Sequence, residues 1–526
     1  MSESRQHSAG GASPGDLPTP ARSGAAPAEA PKIIIIGGGV AGLACGCYLQ
    51  MNGFAAEILE AGSNVGGLCA AWDRGPYIFD GCLRWLVGTN PSSFFHQMWT
   101  ELGVTAEREF MIPDEVVRIE GRHGEALSVP ADLDRAEEEF TRAAPEDAAL
   151  IRRLVRAARR GAGLEPLQRP LELMTPLEKL RTALSYLPMV PVVAAWKNLP
   201  VGEYLARYRN PFLREALLSL VGDERVSALV LVMVLAFRSG NNTAFVRGGS
   251  RAFANTLARR FGALGGRVRP CTRVTSVTVT DGAATGVRCA DGAAVEADAI
   301  VSCADGYSTI FNLLQGRYVE KSILYAYQTC DPFPALVQVS LGINRVFPEA
   351  PHAVCLLLEH PLGVDDQTRH HRVEVTVFQG DSALCPADRT VMTVRMTSRW
   401  DYWTRLREAD PQRYQAEKTR ILQEVVAVLD RRFPGLVQHL EATDVATPAT
   451  FVRYTGNWRG SYEGWLPTPR ILGRWLPLTL RGLKNFYMAG HWVVPGGGLP
   501  SAALSGRFVA QLICARYQRR FAASAP

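Results

Sequence analysis

No apolar run in the 526-residue chain reaches the roughly 18 to 20 residues that a helix needs to cross a bilayer; the longest, Val226 to Phe237, has twelve. A spanning segment is therefore not expected. Residues 1–31 are rich in Gly, Ala, Ser and Pro but hold no hydrophobic stretch, so a disordered tail is expected there rather than a secretory leader or anchor. The eleven cysteines form no C-x-x-C pair, and several sit inside apolar runs, which suits a reduced, cytoplasmic protein. Neither H-E-x-x-H, nor paired His/Cys spacing, nor a G-x-S-x-G elbow occurs, so no metal is expected and a serine hydrolase has no foothold. His370-His371 reads as a solvated pair in a polar turn. The excess of positive charge is small, 57 Lys and Arg against 51 Asp and Glu. Spread over this length it argues against a nucleic-acid partner, while it suits anionic lipid headgroups and the acidic face of a carrier protein alike.

The composition is otherwise that of a folded protein, 47% apolar and 21% charged, which excludes wholesale disorder. At about 150 residues per domain the length allows two to four domains. The ordered part opens with Ile33-Ile34-Ile35-Ile36, a β-branched run suited to a strand buried on both faces, followed by Gly37-Gly38-Gly39-Val40-Ala41-Gly42. A helical stretch from Leu43 to Asn52 and a second strand, Ala55 to Leu59, lead to Glu60. Short strands follow between Phe110 and Pro130, then a proline-punctuated helical insert from Asp132 to Phe237. A β-meander runs from Val274 to Ser302, and a second sheet region from Ala335 to Thr397. A long amphipathic helix is expected from about Pro411 to Arg432. The end repeats the opening: strand Phe486 to Ala489, Gly490, the turn Gly496-Gly497-Gly498-Leu499-Pro500, and a helix from Ser501.

Gly37, Gly39 and Gly42 form a G-x-G-x-x-G between strand and helix, the turn that brings a backbone close to a pyrophosphate and aims a helix N-terminus at it. Glu60 stands twenty-one residues after Gly39, at the end of the next strand, where a carboxylate can bind ribose hydroxyls. An acid there argues against a ribose 2′-phosphate. The second pair, Gly66-Gly67, suits the extended dinucleotide of FAD.

These segments, together with YIFDGC, the meander and NFYMAGHWVVPGGGLPSAALSGRFVAQLI, resemble the FAD-dependent phytoene desaturase, carotenoid isomerase and retinol saturase group of the amine-oxidase-like flavoproteins. The resemblance implies an α/β fold: a Rossmann-like FAD-binding domain of the glutathione-reductase type from residues 32–109, 245–330 and 481–526. A discontinuous α+β substrate domain with a helical cap would come from 110–244 and 331–480. It also implies non-covalent FAD contacts at Val40, Ala41, Ala61, Leu68, Leu83, Arg84 and Trp85 in the opening segments. Val274 would meet the adenine, and Cys303 and Ala304 would lie where the chain returns to the dinucleotide. Gly490, His491, Gly498, Leu499, Pro500 and Ala502 would lie beneath the flavin.

Two positions depart from the pattern. His491 stands where many relatives have Asp, and reads either as an acid or base near the flavin or as a plain hydrogen-bonding residue. Arg84 stands where a close subgroup places His, and reads as a substrate or flavin contact or as a structural arginine. Tyr454, Trp458, Tyr462 and Trp465 could wall a substrate channel or pack a core. The apolar runs around Tyr186 to Val193 and Val226 to Phe237 could cap the cleft, dip into a bilayer or form core.

The activity implied is dehydrogenation of C–C bonds in a lipophilic polyene, carotenoid-like or a secondary metabolite, free or carried on a protein, with hydride passing to flavin N5. The rivals are a saturase, a cis–trans isomerase, an amine oxidase and a non-catalytic FAD-binding escort protein.

Overall fold

The computed structural model describes residues 30–524, so the tail expected at 1–31 falls almost wholly outside the described residues. A five-stranded all-parallel sheet has the order 267–269, 55–59, 32–36, 299–302, 486–488. Its strands come from three distant parts of the chain, and helices cover it. Ile33 to Ile36 form the central strand, 5% exposed or less, as an isoleucine run flanked by strands on both sides requires. The helix that follows spans Val40–Met51, beginning three residues earlier than its composition suggested, because Gly39 serves as its N-cap and Gly42 lies inside its first turn. The closing helix, Leu499–Arg516, likewise starts before Ser501; Pro500 is tolerated because the first turn has no carbonyl partner for its missing N–H.

The meander holds three strands, Val274–Thr280, Ala283–Cys289 and Ala294–Glu296. The fourth expected strand, Ala299–Ser302, leaves it and joins the parallel sheet beside Ile33–Ile36. A seven-stranded sheet with the order 440–446, 335–343, 390–398, 369–379, 353–363, 115–120, 126–130 forms the second half. The helix Pro411–Arg432 buries Ile421, Val425 and Leu429, four residues apart, in the core it shares with this sheet.

The insert is helical from Leu133 to Arg238, and two of its helices differ in kind. Helix Ala228–Arg238 buries Leu231, Val232 and Leu235 in the insert's own core. Helix Pro176–Tyr186, set by a capping box between Thr175 and Glu178, buries no residue at all. Among the described residues no helix is long and apolar enough to cross a membrane.

Candidate functional site

The ends of the parallel strands, the first turns of the opening and closing helices and the seven-stranded sheet enclose one cavity of about 870 Å3. Every residue expected at the cofactor from Gly37 to Ala502 faces this cavity except Gly42. Gly42 packs helix on strand instead: a Cβ there would stand 2.1 Å from the carbonyl oxygen of Gly37. The Glu60 carboxylate accepts the backbone N–H of Gly38 at 2.7 Å and of Gly62 at 2.6 Å, which fixes it at the cavity wall. Gly66 donates its N–H to Gly38 at 2.9 Å, so the second glycine pair is stitched directly onto the first. In front of Gly39 there is room, since a Cβ there would meet nothing nearer than 3.9 Å.

At the opposite end Gly496, Gly497 and Gly498 all have φ in the left-handed region, +98°, +56° and +87°. A Cβ on Gly497 would stand 2.2 Å from the Glu463 carbonyl oxygen, so glycine is required there on both counts. The turn delivers the N-terminus of helix Leu499–Arg516 to the cavity without a side-chain cap, leaving its first N–H groups free for a ligand.

Between these ends the cavity floor is polar. Strand Arg369–Gln379 alternates, and its inward positions His370, Arg372, Glu374 and Thr376 line the cavity. Glu374 pairs with Arg84, and that charge, with the approach of Arg372 and Arg238, holds the Glu374 carboxyl below its ordinary range against the opposing effect of burial. Arg395, on the neighbouring strand, donates to the Gln338 side chain and the Cys82 carbonyl at 3.1 Å each. Gln338 in turn donates to the Asp80 carbonyl at 2.8 Å, so the turn bearing Arg84 is tied to the floor.

Glu463 lines the cavity under the 496–498 turn. Burial pushes its carboxyl up to about 7, with Arg84 and Arg395 opposing. Burial lowers His491 to about 4, and its Nε2 has no partner, so the imidazole is neutral at physiological pH.

Three expectations need correction. Trp458 and Trp465 do not line the cavity; they pack with Tyr327 and Trp492, and Trp465 donates its indole N–H to the Trp492 carbonyl at 3.0 Å. Tyr454 and Tyr462 do line it, Tyr454 at an exposed position, 70% accessible. His370 is not in a solvated turn but inside a strand, bonded through Nε2 to the Thr397 carbonyl at 2.7 Å, while its neighbour His371 points outward. Sequence reading also passed over Glu463, Glu374, Arg395 and Arg238. The legible signal was the every-second-residue polar series at 370, 372, 374 and 376, which marks a wet inner face as readily as an outer one.

Room at Gly39, a clamped ribose acid at Glu60 and two uncapped helix N-termini at one cavity fit a flavin dinucleotide. The fold and site thus define a dinucleotide-binding oxidoreductase with FAD as cofactor. The chain belongs to the flavin containing amine oxidoreductases, whose family model matches residues 40–514. It is 25% identical over 504 residues to a prolycopene isomerase of Arabidopsis thaliana, covering 92% of this chain and 82% of that protein. It is 24% identical to a neurosporene-forming phytoene desaturase of Rhodobacter capsulatus, covering 92% and 94%. Among solved structures, cyclohexylamine oxidase from Brevibacterium oxydans shares the fold with a TM-score of 0.61 at 15% identity, over 93% of this chain and all of that one.

Proposed function

We propose that the protein desaturates C–C bonds of a lipophilic polyene. The observation that carries this reading is the continuity of the cavity. From the dinucleotide residues it extends along helix Ala228–Arg238, whose Val230, Met233, Val234 and Phe237 face it as an apolar wall. Both curated relatives named above act on carotenoids by name, which points the same way. Amine oxidation is disfavoured: among the described residues no lysine lines the cavity, and of the four candidate channel aromatics Trp458 and Trp465 pack elsewhere.

FAD, when bound, supplies the two-electron hydride acceptor. The chain's own residues do the rest. The apolar wall excludes water and orients the polyene. Glu463, with a proton affinity near neutrality, receives the proton lost from the neighbouring carbon at its carboxylate. Arg84, held by Glu374, fixes the charge beside it. The same carboxyl in its protonated form could donate in the reverse direction, which keeps saturation and isomerisation as the second reading.

The test is anaerobic titration of the purified protein with NADPH and then NADH while following the oxidised-flavin band. A band that stays oxidised until a polyene is added is the expected result. Bleaching by nicotinamide would replace the desaturase with a saturase or another reductase.

We also propose that Leu177, Leu180, Leu184 and Leu187 meet a lipid surface. All four lie on one helical stripe and are 54–56% exposed, and the only charges inside helix Pro176–Tyr186 apart from its capping Glu178 are Lys179 and Arg181. A helix that buries nothing gains little from packing and needs a partner to be stable. Leu180→Glu with Leu184→Glu is expected to cut co-sedimentation with anionic vesicles at least tenfold and leave flavin content unchanged. Equal sedimentation of both proteins would remove the lipid contact.

A further inference from the structure

Arg238 ends the apolar wall. It sits in the last turn of helix Ala228–Arg238, faces the cavity, and is 8% exposed. Among the described residues its Nε and Nη1 have no hydrogen-bond partner, and no carboxylate lies within ion-pair distance. Its guanidinium lies 5.3 Å from the centre of the Trp85 ring, an attraction far smaller than the cost of burying an isolated charge. Three more guanidiniums share this part of the cavity, those of Arg84, Arg372 and Arg395. Arg84 is matched by Glu374, but Arg395 meets only the amide oxygen of Gln338 and the backbone carbonyls of Cys82 and Asp80. Burial, and next the charge of Arg84, lower both Arg238 and Arg395 to about 10, so each still carries its proton at pH 7. Four lining cations, Arg84, Arg238, Arg372 and Arg395, therefore face two carboxylates held below their ordinary range, Glu374 and Asp223, and Asp223 is already paired with Arg225, while Glu463 is half neutral at pH 7.

A pure hydrocarbon would leave that charge unbalanced. A long apolar molecule with an anionic end would not: from Val230 to Arg238 the helix presents about 12 Å of apolar surface, at 1.5 Å per residue, and then a cation. We infer that the substrate carries a carboxylate and that Arg238 receives it. The inference rests on the polyene reading above and narrows it, from polyenes in general to polyene acids. Arg238 then acts as a specificity residue: a bidentate guanidinium–carboxylate bond at the helix end fixes which carbons of the chain lie over the flavin.

The test uses the FAD-loaded protein and three probes, all-trans-retinoic acid, all-trans-retinol and hexadecanoate, with quenching of tryptophan fluorescence as readout. Retinoic acid is expected to bind at least tenfold more tightly than retinol. Arg238→Gln should reduce that preference to less than twofold, and Arg238→Lys should restore part of it. Equal binding of acid and alcohol by the wild type overturns the anion site and leaves the polyene reading standing; this comparison needs no variant to fold. Hexadecanoate bound as tightly as retinoic acid, with the affinity lost in Arg238→Gln, supports the anion site and sinks the polyene reading instead. An unchanged acid preference in Arg238→Gln, with the flavin potential shifted, overturns the proposal by assigning the cation to the flavin.

Discussion

Gly39→Asp is expected to yield a folded protein that carries no flavin. The new side chain has room, because the nearest atom to a Cβ at that position is 3.9 Å away, and Gly39 has φ −72°, ordinary for any residue. As an N-cap, aspartate even suits the helix it begins, since its oxygen can accept from the first-turn N–H groups. What it fills is the space in front of the helix N-terminus where a pyrophosphate belongs, and it brings a negative charge there. Repulsion at that range should weaken FAD by at least ~100-fold, about 3 kcal/mol. Flavin absorbance per protein should fall below about a tenth of wild type, while the melting temperature of the flavin-free form stays unchanged or rises. Gly42→Ala should do the opposite, lowering stability through its 2.1 Å contact with the Gly37 carbonyl. Wild-type flavin content in Gly39→Asp would move the cofactor away from this turn.

Replacing Glu463 with Gln should slow flavin reduction by substrate between ~10²- and 10⁴-fold, the range for losing a positioned acid or base. In the wild type, reduction should rise with pH through about 7, where the carboxyl becomes a competent base. In Glu463→Gln the residual rate should be flat. The same shift reads out in stability, with a sign that can be worked out. The carboxyl is raised from 4.5 in the unfolded chain to about 7 in the native one. Below 4.5 it is protonated in both states, and its contribution to stability is fully present. Between 4.5 and 7 the unfolded chain ionises while the native one keeps its proton, so stability falls as pH rises and levels off above 7. Glutamine removes this loss, so the variant should be more stable than wild type at pH 8 by ~3 kcal/mol, at about 1.4 kcal/mol per unit, and indistinguishable near pH 4. Parallel denaturation curves of the two flavin-free proteins at both pH values decide it. A wild-type pH profile without a limb near 7 would take Glu463 out of the chemistry.

The dinucleotide end was legible because its chemistry is local: strand, glycine turn, helix and acid lie within residues 32 to 60, and backbone geometry demands them in that order. The substrate end was not legible, because sequence patterning assumes that polar residues of a strand face water. At 370, 372, 374 and 376 they face a cavity, so a half-buried floor reads as an exposed strand or a turn. Glu463 was hidden for a different reason. Its neighbours Tyr462 and Trp465 announce an aromatic segment, and only the fold shows that the acid between them lies under a three-glycine turn contributed by residues 496–498. Trp458 and Trp465 show the converse: aromatic content signals burial well but does not say which side of a wall a ring occupies.

The parallel sheet is finished by the last strand of the chain, Phe486–Met488, laid beside Ala299–Ser302, and the flavin end of the cavity by the helix that follows. During synthesis the glycine turn at residue 37 therefore waits for partners about 450 residues downstream, roughly 20 to 90 s at 5–20 residues per second. Until residues 299–302 are made, Ile33–Ile36 has one open edge, and from then until residues 486–488 are made the open edge is that of 299–302. Flavin capture is thus a late event that waits for the strand at 486–488 and the helix Leu499–Arg516 to be made. In a cell the supply of correctly folded enzyme should depend on chaperone cover during that window as much as on the supply of FAD.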